Sequence, residues 1–222
     1  MLEYKIEESV AYITIDDGKM NVFSHDMLDL AEEAFKKAGE DKDVKVVVIT
    51  GNDTAFSAGF DLTEIKKGPA EMKTLVTRGM KLGHKMFLFP KPIVVVTKGH
   101  TLAMGAILLL AADYCIGVQN EKAKIGLNES AIGITMPQIG VEFGRFRLPK
   151  RYFERSFLKA DIYNMTEAVE VGYLAEVCTK EDLNKSLSEV VNTYKGLDAR
   201  AYRQTKMRIR KEVVENVNLD EI

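Results

Sequence analysis

The chain is short of several features that would assign it to a specialised class of protein. Only two cysteines, Cys115 and Cys178, occur among its 222 residues, and they form no Cys-x-x-Cys pair. We therefore expect neither a disulfide framework nor a structural zinc site. The net charge of −2 and the pI near 6.0 offer no basic surface to nucleic acid or to an anionic membrane.

Long apolar runs and targeting patterns are also lacking. The longest apolar runs are too short to span a bilayer, so we expect no membrane partner. Residues 1–5 alternate as a strand does and do not resemble a targeting segment, which leads us to expect a cytoplasmic protein. His25, His84 and His100 are scattered without ligand spacing, so no metal site is expected.

What the chain does contain is an ordinary globular composition, 46% apolar and 29% charged. Its length suits one sizeable α/β domain with a helical appendage. Periodicity and turn residues predict strands at 2–7, 10–15, 44–50, 93–96, 113–118 and 173–177. They predict helices at 24–39, 71–86, 105–112, 166–172 and 181–217. Such alternation indicates a mostly parallel sheet with crossover helices.

Two segments, 56–62 and 99–106, share one pattern: each follows a buried strand, passes through small residues and starts a helix. The first N–H groups of a helix have no partner within it, and the helix dipole favours negative charge there. Two such helix starts that face one point would form an oxyanion hole, which stabilises the charge that develops in acyl and enolate chemistry. Alone, segment 56–62 is more typical of an ordinary strand-to-helix turn in which Gly59 supplies a special backbone dihedral.

Segments 56–62, 99–113 and 166–177, with a Gly-x-x-Glu match at 126–129, resemble the signatures of the crotonase (enoyl-CoA hydratase/isomerase) superfamily. The resemblance implies an α/β spiral of ββα units with a helical C-terminal region. Residues 1–150 would form the spiral core. Residues 151–222 would form a mostly helical region, shorter than usual for the family, in the same structural unit. The family further implies an acyl-CoA thioester as substrate, and a homotrimer or dimer of trimers.

Carried over to this chain, the resemblance assigns the oxyanion donors to the backbone N–H groups of Phe60 and Met104 and the catalytic base to Glu129. Ile107 stands where hydratases of the family have a further glutamate. A single carboxylate still suffices to move a proton, so the leading hypothesis is an isomerase that shifts a 3-enoyl-CoA double bond to the 2-position. The alternatives are hydration of a trans-2-enoyl-CoA and a catalytically silent acyl-CoA-binding protein.

The expected contacts to the substrate surround these three residues. Coenzyme A enters only as part of the substrate, so no separate cofactor is expected. The expected binding residues are Ser57, Ala58, Gly59, Asp61, Leu62, Lys66, Met72, Gly105, Ile107 and Ile132. Several of the residues considered for the site also have a plainer interpretation. Lys66 and Lys67 would be a solvated pair, and Met72, Leu75 and Met80 would belong to the core. Glu129 would be a solvated loop carboxylate or the ion-pair partner of a nearby lysine.

Overall fold

A computed structural model describes residues 1–215 and 217–219 of the chain. The strands are β1 Leu2–Glu7, β2 Val10–Ile15, β3 Val46–Thr50, β4 Ala55–Ser57, β5 Ile93–Thr97, β6 His100–Leu102, β7 Tyr114–Val118, β8 Ile125–Gly126 and β9 Glu176–Cys178. The helices are α1 His25–Glu40, α2 Leu62–Ile65, α3 Pro69–Phe87, α4 Met104–Ala111, α5 Gln138–Arg147, α6 Lys150–Phe157, α7 Met165–Val171, α8 Leu183–Lys195 and α9 Ala199–Val214. A 3₁₀ turn covers Ser130–Ile132.

The strands form two sheets. The large sheet has the order β1-β2-β3-β5-β7-β9, and the small sheet has the order β4-β6-β8. Only β1 and β2 pair antiparallel, whereas every other neighbouring pair is parallel. Central strands such as β3 and β5 are almost wholly buried, as expected for parallel strands covered on both faces.

The chain visits the two sheets alternately, which produces the spiral. A strand of the large sheet (β3, β5 or β7) leads into a short strand of the small sheet (β4, β6 or β8), and a helical segment follows. The expected α/β fold of ββα units with C-terminal helices is therefore confirmed. Within the described part of the chain, no helix combines the length and the apolar character needed to cross a membrane.

Several element boundaries follow from local capping. The Ser24 side chain accepts from the Met27 N–H at 3.2 Å and starts α1, which continues to Glu40 rather than stopping at Gly39. The strand predicted at 173–177 is wrong in its boundaries, since β9 starts only at Glu176. Gly172 is left-handed and the next two N–H groups, of Tyr173 and Leu174, return to the Ala168 carbonyl, so the chain is still turning there.

Other elements went unpredicted. Helices α5 and α6 begin after Pro137 and Pro149, which supply no side-chain cap by which the start could be recognised. The helical tail predicted at 181–217 is two helices, α8 and α9, and Val217 lies beyond them. Parts of the predicted C-terminal region, namely Asn216 and residues 220–222, lie outside the described residues.

Apolar side chains cover both faces of the large sheet. One cluster joins that sheet to α1, α3 and α4, and a second joins its other face to α8 through Leu187 and Val191. Helix α4 lies at the centre, with every one of its residues buried. Each large apolar side chain buried in this way contributes roughly 1.5–3 kcal/mol to folding.

The C-terminal end of α4 is where the helical tail attaches to the core. Arg210 on α9 donates to the Ala111 and Ala112 carbonyls at 3.2 and 3.1 Å, and so pairs the last carbonyls of a buried helix. Asp113 accepts from Lys206 at 2.7 Å, from Arg210 at 3.0 Å and from the Ile93 N–H at 2.7 Å. This cluster of Asp113, Lys206 and Arg210 ties α9 to the core.

Candidate active site

The three strands of the small sheet place the predicted catalytic residues at one edge. They run parallel, so their carboxyl ends lie side by side. Phe60 follows β4, Met104 follows β6 and Glu129 follows β8, each within three residues of the strand end. Loops at the carboxyl ends of parallel strands are the usual site of ligand binding in α/β proteins.

Phe60 lies in a short extended segment beside Phe23. The Phe23 N–H donates to the Gly59 carbonyl at 2.8 Å, and the Asp61 N–H donates to the Phe23 carbonyl at 3.1 Å. The Phe60 N–H between them has no acceptor among the described residues. Its neighbours are fixed by hydrogen bonds, so this donor is held in place and is free to bind an anion.

Gly59 brings the two donor segments together. It has φ +106, which side chains rarely adopt, and a Cβ there would lie 2.8 Å from the Ala103 Cβ and 3.7 Å from the Met104 nitrogen. The two turns that carry the expected oxyanion donors are therefore in direct contact. Gly105 makes a similarly close contact, since a Cβ added at this residue would lie 2.5 Å from the Ser57 carbonyl oxygen.

Met104 is the first residue of α4, and its N–H has no acceptor among the described residues. The preceding Ala103 has φ 49 and ψ −121, an unusual conformation for a residue with a side chain. The Ala103 N–H donates to the Gly126 carbonyl at 3.1 Å and holds this conformation against β8. The Met104 side chain and the Phe60 ring both pack against Gly79 of α3.

Glu129 is buried, with only 7% of its surface exposed. Its Oε2 atom has no hydrogen-bond partner among the described residues. Burial raises the pKa of Glu129 to about 7, while the backbone N–H groups of residues 128 and 129 oppose that rise. A carboxylate poised between its charged and neutral forms near neutral pH suits a group that takes up and returns a proton.

Ile107 lies one turn into α4 and is buried. Its side chain is within van der Waals range of Gly83 on α3 and Gly140 on α5. An apolar residue there supplies no second acid or base to the site. Glu129 is consequently the only carboxylate among the catalytic positions named from the sequence.

The expected substrate contacts fall into a buried and an exposed group. Ser57 is buried and its Oγ accepts from the Gly59 N–H at 3.1 Å, while the Ala58 N–H donates to Met20. Asp61 caps α2 through the Thr63 N–H at 2.7 Å, and the hydrogen bond from the Thr63 hydroxyl, also 2.7 Å long, is the main reason that the pKa of its carboxyl is lowered. Leu62 and Ile132 are 56% and 50% exposed and belong to the exposed group.

The remaining expected contacts concern the two lysines and α3. Lys66 is exposed, whereas Lys67 pairs with Glu64 at 2.5 Å. Met72 is partly buried against the core, and Leu75 and Met80 are buried within it. The geometry thus favours the core interpretation for Leu75 and Met80.

One polar cluster was not expected from the sequence. His25, Glu64 and Glu71 offer ligand atoms within 4.8 Å of one another. The His25 Nε2 lies 2.9 Å from Glu71, and its Nδ1 lies 3.0 Å from Arg78. An arginine only donates, so Nδ1 accepts and the proton is on Nε2, the atom that faces Glu71. The arrangement is a hydrogen-bond network that joins α1 to α3. Sequence spacing could not reveal the cluster because its three residues, His25, Glu64 and Glu71, come from three helices.

Comparisons with known proteins identify the family to which the chain belongs. The family model for enoyl-CoA hydratase/isomerase matches residues 5–219. The chain is 25% identical over 219 residues to mouse mitochondrial enoyl-CoA delta isomerase 1. This match covers 98% of the chain and 76% of the relative. The chain is also 28% identical over 201 residues to a probable enoyl-CoA hydratase of Bacillus subtilis. That match covers 88% of the chain and 73% of the relative.

Solved structures give the same result. A crystal structure of an enoyl-CoA hydratase/isomerase family protein from Pseudomonas syringae matches with a TM-score of 0.92 and 35% identity. The match covers 96% of this chain and 92% of the other. The chain therefore belongs to the enoyl-CoA hydratase/isomerase family, as its sequence motifs predicted.

Proposed function

We propose that the protein is an enoyl-CoA isomerase, which moves the double bond of a 3-enoyl-CoA to the 2-position. The proposal rests on one buried carboxylate at the site, Glu129, with a pKa raised to about 7 and an apolar residue, Ile107, at the other catalytic position of the family. Family membership supports the acyl-CoA thioester as substrate class.

In the proposed reaction, the ionised Glu129 removes a proton from C2 of the 3-enoyl thioester. The electron pair moves to the thioester oxygen, which the Phe60 and Met104 N–H groups stabilise as an oxyanion. The dienolate then collapses to form the C2–C3 double bond and takes the same proton back from Glu129 at C4. Atoms and charge balance without water, metal or an added cofactor as co-reactant.

Hydration would make different demands on the site. Addition of water to a 2-enoyl thioester requires one group to activate the water and another to protonate the adjacent carbon. The Ile107 side chain can do neither. The hydratase remains the second candidate because relatives with that name match the chain as well as isomerases do.

Replacement of the base tests the proposal. We expect Glu129→Gln to lower the rate of 3-enoyl-CoA consumption at least about 10³-fold, since glutamine cannot accept the proton. The measurement is an ultraviolet assay with separate detection of 2-enoyl-CoA and 3-hydroxyacyl-CoA. Glu121→Gln, on an exposed stretch before β8, is the matched control and should retain native turnover.

Each alternative has its own signature in this assay. Formation of 3-hydroxyacyl-CoA by the native protein from a trans-2-enoyl-CoA, without 3-enoyl-CoA consumption, would establish the hydratase instead. Acyl-CoA binding without turnover of either substrate would establish the silent binding protein. Native-like turnover by Glu129→Gln would exclude the proton transfer proposed for Glu129.

A further inference from the structure

Phe60, the residue whose N–H is one expected oxyanion donor, is held from two sides. On one side the Phe23 N–H donates to the Gly59 carbonyl at 2.8 Å, and the Phe23 carbonyl accepts from the Asp61 N–H at 3.1 Å. On the other side lies α3, where a Cβ added at Gly79 would overlap two atoms of the Phe60 ring. The ring therefore rests directly on the backbone of α3.

Both supports lead to one contact between helices. Phe23 lies two residues before His25, which is the first residue of α1. On α3, Gly79 directly follows Arg78. The position of Phe60 therefore depends on how the start of α1 is joined to this turn of α3.

The side chain of Arg78 makes this joint. Its Nη1 atom donates to the His25 Nδ1 at 3.0 Å, and its Nη2 atom donates to Asp29 and, at 3.4 Å, to Glu32. Residues 25, 29 and 32 share one face of α1, because side chains three and four positions apart are neighbours on a helix. A guanidinium is planar and rigid, so contacts at two of its nitrogens fix both its place and its orientation. Arg78 thus holds α3 against the first two turns of α1 at two points.

Gly79 has no side chain that could fix α3 at this place. The Phe60 ring and the Met104 sulfur, which would lie 3.3 Å from a Cβ added at Gly79, both meet bare backbone. Packed helices normally keep their register because side-chain ridges of one helix fit into grooves of the other. A glycine offers no ridge, so the contact with Phe60 does not by itself determine where this turn of α3 lies.

We propose that Arg78 is a positioning residue that holds α3 in register with α1 and so fixes the Phe60 N–H where the thioester oxygen binds. This inference rests on the proposed function, in which that N–H is an oxyanion donor. Loss of the guanidinium would let α3 shift on α1, and the Phe60 ring would follow the backbone on which it rests. Because an oxyanion donor must point at the place where charge develops, even a small displacement weakens its effect.

Lys85 offers a matched control on the same two helices. Its Nζ atom donates to the Glu32 carbonyl at 3.3 Å, so Lys85 also joins α3 to α1. It lies about 10 Å beyond Arg78 along α3, at 1.5 Å per residue, and is correspondingly farther from Gly79. Lys85→Met therefore removes one contact between the helices and leaves the Arg78 contacts in place.

The test is Arg78→Met, which removes the guanidinium and keeps an apolar stem. Gly59–Phe60 is the only Gly-Phe step in the sequence, so glycine labelled with ¹³C at the carbonyl and ¹⁵N-phenylalanine together select one amide signal, that of Phe60. The ligand is butyryl-CoA, a saturated thioester without a double bond to move. In the native protein its binding should move the Phe60 amide proton downfield, because the N–H then donates to the thioester oxygen.

At saturating butyryl-CoA, we expect Arg78→Met to lose at least about half of this downfield shift and Lys85→Met to keep it. With a 3-enoyl-CoA, kcat of Arg78→Met should fall about 10-fold and KM should change less than about 2-fold, because the thioester oxygen carries more charge in the transition state than in the bound substrate. Arg78→Lys retains a charge without the two-point contact, so it should recover only part of the shift and of the rate.

A native-like shift in folded Arg78→Met would overturn the inference. Full recovery by Arg78→Lys would do the same, since charge alone would then suffice, and so would an equal loss of shift in Lys85→Met. If Arg78→Met does not fold, Asp29→Ala combined with Glu32→Ala changes two largely exposed side chains and releases the Nη2 atom. The shift should fall in that double variant as well, and a native-like shift would contradict the two-point contact.

The outcomes separate this inference from the proposed function. The NMR comparison involves no turnover, so it remains decisive for Arg78 even if the native protein does not isomerise a 3-enoyl-CoA. A native protein that binds butyryl-CoA without any movement of the Phe60 signal would contradict the donor role of Phe60, and the inference about Arg78 would fall with it.

Discussion

Two buried carboxylates in this molecule have opposite surroundings. Asp113 is surrounded by donors from α9 and from the start of β5, all within 3.0 Å. Glu129 is buried in a similar way but has a carboxylate oxygen without any partner among the described residues. The protein thus compensates one buried charge fully and leaves the other partly uncompensated.

The difference separates a structural role from a chemical one. A buried charge with good partners holds elements together, and its loss leaves the partners buried and unpaired. A buried carboxyl with few partners has a raised pKa, which weakens the fold when it ionises but suits proton transfer. The comparison therefore predicts that Asp113 governs stability and that Glu129 governs reactivity.

Removal of Asp113 should have the largest effect on stability. Asp113→Ala leaves Lys206 and Arg210 buried without their anion and the Ile93 N–H without its acceptor. We expect the free energy of unfolding to fall by about 3–5 kcal/mol. Urea denaturation followed by circular dichroism measures it. The exposed Asp43, changed to Ala, is the control and should shift stability by less than about 0.5 kcal/mol. A cost as small as the control would mean that the cluster does not anchor α9.

The pH dependence of stability tests the other carboxylate. The pKa of Glu129 is raised from 4.5 unfolded to about 7 folded, so the native protein binds the extra proton between these values. The contribution of Glu129 to the free energy of unfolding should therefore be fully present below about pH 4.5. It should be lost as pH rises through 7, by roughly 3 kcal/mol in all. Glu129→Gln should remove this loss.

The measurement is urea denaturation of both proteins at several pH values between 4 and 8. The stability of the variant relative to native should grow steadily across this range. A difference that stays constant with pH would show that Glu129 is paired in solution, contrary to the structure.

A smaller effect is expected at Lys206, which shares Asp113 with Arg210. Burial leaves the ammonium group of Lys206 poorly solvated and lowers its pKa to about 8. Removal of this charge therefore also removes the cost of burying it, which offsets part of the lost interaction with Asp113. Lys206→Met keeps the apolar stem and leaves the Arg210–Asp113 pair at 3.0 Å. We expect a cost of about 1–2 kcal/mol in urea denaturation, well below that of Asp113→Ala. An equal cost would identify the lysine rather than the aspartate as the centre of the cluster.

The sequence predicted the parts of the fold that local chemistry determines. Ser24 marked the start of α1, and the apolar runs before Gly51 and Gly99 marked β3 and β5. Gly59, Ala103 and Gly105 are recognisable for the same reason, because the close approach of two backbones permits only small residues at these three positions. The family resemblance and the fold it implied are confirmed by the comparisons.

Features that depend on distant contacts were not predictable in this way. Helices α5 and α6 begin after prolines without a side-chain cap, so only packing reveals them. Tyr173 looked like part of a strand, and the packing of its ring against the Tyr163 ring appears only when the segments on either side of α7 are assembled. The hydrogen-bond network of His25, Glu71 and Arg78 likewise requires α1 and α3 to meet.

The small sheet of β4, β6 and β8 has a consequence for how such a protein can change over evolution. Both expected oxyanion donors belong to the main chain, so drift in the side chains at 60 and 104 need not abolish them. The proposed base, Glu129, follows a strand of only two residues, and its exchange disturbs few ladder bonds. Under the proposed function, binding of the thioester carbonyl and choice of reaction therefore depend on different positions. Substitutions at positions 107 and 129 can then change the chemistry without removing the main-chain donors.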